Sequence, residues 1–77
     1  MTDSELLEKT NEAFNKNGFM VLSSYYSPGK IGETVTAYGM KFKIIGYATE
    51  KEVKKYCQSI GMPFTHKGAH HRKVVTD

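Results

Sequence analysis

Seventy-seven residues hold one cysteine, two prolines and no tryptophan. A single thiol excludes an intramolecular disulfide and suits a reducing compartment. No apolar run comes near the ~18 residues that a membrane-spanning helix needs. The opening MTDSELLEK has neither the basic start nor the apolar stretch of a secretory signal. The expectation is a cytoplasmic, unprocessed chain with no membrane partner. Paired carboxylates for acid–base chemistry are also missing. Glu50 and Glu52 belong to a helix start, where the dipole accounts for them, and Glu33 stands alone beside a turn. The segment SPGKIGET at 27–34 contains Gly, Lys and Thr but lacks the Gly-Lys-Ser/Thr run and glycine spacing of a phosphate loop. A chain of this length makes one domain, 1–77, and buries roughly 60% of its unfolded surface, which leaves little room for an enclosed active site. No internal repeat or second domain is visible. No cofactor and no metal are expected, and the chain reads as one that acts by binding rather than by catalysis.

What is present is organised around 31–60. The runs 33–38 and 40–47 are rich in Thr, Val, Ile, Phe and Tyr, and Tyr38-Gly39 between them is short enough for a two-residue turn. Pairing Ala37 with Met40 puts Val35, Ala37, Met40, Phe42 and Ile44 on one face. Thr34, Thr36, Lys41 and Lys43 then fall on the other, so one side meets the core and the other meets water or a partner. A helix follows directly. Thr49 and Glu52 have the spacing of a capping box, and Val53, Tyr56, Cys57 and Ile60 recur on one stripe. Gly61 and Pro63 end it.

The rest of the chain adds a helix and one or two strands. Thr2-Asp3-Ser4-Glu5 has capping-box spacing, Leu6, Leu7, Thr10, Ala13 and Phe14 share a helical face, and Asn17-Gly18 closes that helix. Phe19–Tyr26 reads as a strand that leaves the core as it proceeds, and Ser27–Lys30 as a turn. Residues 65–77 read as a basic tail, in which 72–76 (RKVVT) adds a short edge strand blunted by its charges. The order α-β-β-β-α-β specifies an α+β fold, a small antiparallel sheet of three to four strands with two helices. The alternative is a small SH3-like barrel with added helices.

Charge is uneven along the chain. Net charge is +3, with −2 over residues 1–17, and no acidic side chain occurs between Met62 and Lys73. A basic surface is therefore expected from Lys41 and Lys43 on the outer hairpin face, Lys54 and Lys55 on the second helix, and Lys67, Arg72 and Lys73 in the tail. Tyr25 and Tyr26 are candidate stacking platforms beside it. The function this supports first is contact with nucleic acid or another polyanion. The alternative is a protein-interaction module, such as a small inhibitor or adaptor of the kind mobile elements encode, docking on an acidic protein surface or through an exposed strand edge. Two sharper chemistries are weighed and set aside. Cys57 lies on the apolar stripe, where a free cysteine behaves as a small hydrophobe rather than a nucleophile. Cys57, His66, His70 and His71 are spaced C-x8-H-x3-H-H, but Gly68 argues against the helix that would bring the histidines onto one ion.

Overall fold

Turn chemistry sets the first fixed point of the fold, at Tyr38-Gly39. Both residues take positive φ, 55° and 75°, as a two-residue hairpin with the right-handed strand twist demands. In the computed structural model, which describes residues 3–77, this turn joins β2 (Thr34–Ala37) to β3 (Met40–Ala48). The register is Thr34 to Lys43, Val35 to Phe42, Thr36 to Lys41 and Ala37 to Met40, the pairing that the hydrophobic alternation expects. Phe42 and Ile44 are fully buried, whereas Thr34, Thr36, Lys41 and Lys43 are exposed.

Helix α2 (Glu50–Ser59) begins and ends as its sequence specifies. The Thr49 hydroxyl accepts from the Glu52 amide, and the Glu52 carboxylate accepts from the Thr49 amide. At the other end Gly61 takes φ 69°, its amide donates to the Gln58 carbonyl, and the Met62 amide donates to the Cys57 carbonyl, a Schellman stop. The last turn has no basic residue of its own. Helix α1 (Asp3–Asn17) supplies the missing charge: Lys9 Nζ donates to the Ile60 carbonyl at 2.6 Å, and Lys16 Nζ to the Ser59 carbonyl at 2.7 Å. Two ammonium groups thus sit at the negative end of the α2 dipole. Thr10 and Ala13 face inward and Phe14 is half-buried, but Leu7 is exposed. The expected capping box at residues 2–5 depends on Thr2, which lies outside the described residues, as does the side chain of Leu6.

The sheet is completed by β1 (Met20–Ser24) and β4 (His70–Thr76) in the order β1-β4-β3-β2, all antiparallel. The fold is α+β, with the sheet curled into a half-barrel. The edge-strand reading of 72–76 is corrected here: β4 is an interior strand, paired on both sides. Lys73 is paired with Glu52 in place and the Arg72 Nε–H donates to the Leu22 carbonyl, so neither side chain forces the strand to an edge. Met20, Val74 and Ile44 lie in register across three strands and form the middle row of the core. Ala13, Tyr56 and Ile60 of the helical layer pack onto it. Between Ile44 and Gly46 a bulge shifts the register of β3. Such a bulge sharpens local twist and reverses which side chains face in. Past it, Tyr47 rather than Gly46 lies opposite Arg72.

The connection 25–33 is tied to β3 rather than left loose. The Gly32 amide donates to the Ile44 carbonyl, the Ile44 amide to the Glu33 carbonyl, and the Tyr47 hydroxyl to the Gly29 carbonyl at 2.6 Å. Gly29 takes φ 71° with no room for a side chain, because a Cβ there would lie 2.8 Å from Ile44 Cδ1.

Candidate binding cleft

A sheet that curls through half a barrel and stops leaves two edges without a neighbouring strand. Here those edges belong to β1 and β2. Both line one cleft of about 490 Å³, which occupies the opening between them. Residues 20–24 line one wall and residues 35–38 the other. The floor and far side come from α2 and the segment after it, with Tyr56, Cys57, Met62 and Phe64. The Schellman stop matters to the site because it turns the chain so that Met62–His66 runs along the cleft instead of continuing the helix.

Burial and hydrogen bonding shape the side chains within the cleft. Tyr56 stacks on Phe19 with ring centroids 6.0 Å apart, burial pushes its hydroxyl pKa up, and the Val21 amide donating to that hydroxyl partly offsets the rise. One donor on the β1 strand is thereby engaged. Burial also pushes the Cys57 thiol up, the opposite of what a nucleophilic thiolate requires. Arg72 projects from β4 on the same alternation as buried Val74, and its Nε donates to the Leu22 carbonyl at 2.9 Å. The charged groups lining the cleft are Lys9, Arg72 and the titratable His66; no carboxylate is among them.

The residues singled out by charge do not form one surface. Arg72 and Lys73 are adjacent on β4 and so point to opposite sides of the sheet. Lys73 Nζ lies 2.9 Å from Glu52 and 5.1 Å from the Phe19 ring centroid, and this contact, first among several, holds the Glu52 carboxyl below its usual range. Lys41 and Lys43 stay exposed on the hairpin, but the chain end folds beside them: the Asp77 amide donates to the Lys41 carbonyl and its carboxylate accepts from the Thr34 hydroxyl at 2.6 Å. Lys54 and Lys55 are exposed on α2, with Lys54 Nζ 5.8 Å from the Phe64 ring centroid. Lys67 is exposed in the turn before β4. Tyr25 lies 6.1 Å from the His66 ring at the cleft rim, and Tyr26 is 95% exposed.

His71 departs furthest from the tail reading. It is 5% exposed, its Nδ1 lies 2.8 Å from the Ser23 hydroxyl, and its ring packs 5.7 Å from that of Phe64. Its Nε2 is buried without a hydrogen-bond partner among the described residues. Burial, reinforced by the charges of His66 and His70 and opposed by Glu50, holds its pKa below the ordinary histidine value. No group of three or more metal-ligating side chains occurs among the described residues.

Sequence reasoning missed Arg72 as a cleft residue and missed the cleft itself. The available signal was the alternation of Arg72, Val74 and Thr76 in 72–76, which puts an arginine in phase with an apolar core position. Compared with known proteins, the chain matches no family model, no curated protein and no solved structure.

Proposed function

We propose that this chain is a non-enzymatic protein-binding module that takes an extended segment of a partner into the cleft between β1 and β2. The observation that carries the reading is that two strand edges open onto one cleft. Strand addition is a recurring mode of peptide recognition, in which main-chain hydrogen bonds supply affinity and side-chain pockets supply specificity. A volume near 490 Å³ is in the range of sites that hold a few side chains. Apolar walls from Val35, Met62 and Phe64 add burial to the backbone bonds. The raised Cys57 thiol supports binding rather than covalent chemistry. The test is hydrogen exchange by NMR in the presence of mixed-sequence short peptides. Slowed exchange confined to 20–24 and 34–38 supports the reading, and unchanged exchange on both strands refutes it.

Polyanion contact remains a second reading, supported by the exposed Lys51, Lys54 and Lys55 on α2 with Lys67 nearby in sequence. It draws less support because Arg72 and Lys73 face opposite ways and Lys73 is neutralised. Fluorescence anisotropy with single- and double-stranded oligonucleotides across a salt series tests it; nucleic-acid binding requires affinity that falls steeply with salt.

A further inference from the structure

Three cations are half-buried among the described residues: Lys9, Arg72 and Lys73. Two are neutralised in place. Lys9 Nζ lies 3.6 Å from Glu12 and Lys73 Nζ 2.9 Å from Glu52. Arg72 has no carboxylate within ion-pair distance among the described residues. Its Nε is held by the Leu22 carbonyl, which fixes the inner end of the guanidinium and leaves the outer N–H donors of a planar fork unused.

An unpaired charge partly withdrawn from water is costly to keep. Arg72 stands between Tyr47 and buried Leu22, two positions from buried Val74 on β4. The cleft compounds this, since it has no Asp or Glu among its lining residues. A fork of donors at the wall of a cleft that has no carboxylate of its own is complementary to a carboxylate brought from outside.

We propose that Arg72 is the recognition residue of the cleft, and that the segment it selects carries an Asp or Glu side chain flanked by apolar residues. This rests on the reading of the cleft as a peptide site. The carboxylate meets the Arg72 fork, while the flanking side chains lie against Val35, Met62 and Phe64. Lys54 and Lys55, outside the cleft, take no part.

Three fluorescein-labelled pools of short peptides with mixed apolar flanks and a central Glu, Gln or Lys separate the possibilities by anisotropy. The Glu pool is expected to bind wild type roughly tenfold or more tighter than the Gln pool, the ratio a charge-assisted bidentate contact gives. Arg72→Met is expected to erase that preference while still binding the Gln pool, and Arg72→Lys to keep only part of it. Equal binding of the Glu and Gln pools overturns the role of Arg72 and leaves the cleft reading standing. No binding by any pool, with exchange on 20–24 and 34–38 unchanged, overturns the cleft reading and this inference with it. Circular dichroism verifies that the variants fold. Should Arg72→Met unfold, the Arg72 Nη–H resonances of wild type, observed at low temperature, decide: a downfield shift with the Glu pool alone supports the assignment, and no shift refutes it. Displacement of the Glu pool by a single-stranded oligonucleotide at lower concentration also refutes it, because the anion is then a phosphate.

Discussion

Gly29 offers the sharpest test of the packing behind the cleft, because Gly32 a few residues away provides an internal control. Both residues take left-handed φ, 71° and 92°, so replacing either by alanine incurs the conformational cost of that region, about 1–2 kcal/mol. The surroundings differ. A Cβ on Gly32 meets nothing within 4 Å, whereas one on Gly29 meets Glu33 Oε2 at 2.5 Å and Ile44 Cδ1 at 2.8 Å. Glu33 is exposed and swings aside, losing its hydrogen bond from the Lys30 amide, about 0.5–1.5 kcal/mol. Ile44 is fully buried and cannot. Retreat of the loop would cost the hydrogen bond from the Tyr47 hydroxyl to the Gly29 carbonyl. Overpacking of this kind costs about 1–3 kcal/mol. Gly29→Ala is therefore expected to be less stable than Gly32→Ala by about 2–4 kcal/mol, a large part of the ~4–12 kcal/mol available to a domain of this size. Urea unfolding followed by circular dichroism reads the difference as a midpoint lower by roughly 2 M or more, given a slope of about 1 kcal/mol per molar. Equal midpoints for the two variants would mean that 28–33 does not lie on Ile44 as described, and the reasoning fails.

Two further predictions concern charge. His71 has a lowered pKa in the folded state, so between the unfolded value near 6.5 and that lower value the unfolded chain binds more protons. Stability consequently falls as pH falls through this window, by at most about 1.4 kcal/mol per pH unit. Urea midpoints at pH 7.5 and 5.5 are expected to differ for wild type and to converge for His71→Phe; an unchanged difference in the variant refutes the assignment. The lysines of α1 that close α2 are expected to rank by burial. Lys9→Met removes a half-buried charged bond to the Ile60 carbonyl and should cost about 1–2 kcal/mol. Lys16→Met removes an exposed one and should cost a few tenths, and thermal unfolding that ranks them the other way contradicts the capping role.

How far the chain was legible follows the range of the interactions involved. Local chemistry was readable without the fold: Tyr38-Gly39 specifies the turn, alternation specifies the register from Thr34 to Lys43, and Thr49, Glu52 and Gly61 bound α2, because each depends on neighbours a few residues apart. The order of charged residues along the chain likewise shows its uneven charge without the fold. Tertiary structure alone decided where 70–76 goes. Its pairing of Val74 with Met20 and Ile44 joins parts of the chain far apart, and no local pattern distinguishes a charged edge strand from a charged interior strand. The same holds for Arg72, Lys73 and His71, adjacent in a basic run yet sent to a cleft, an ion pair and a buried pocket. Strand alternation turns neighbours apart, and only the elements packed on each side determine what each one meets.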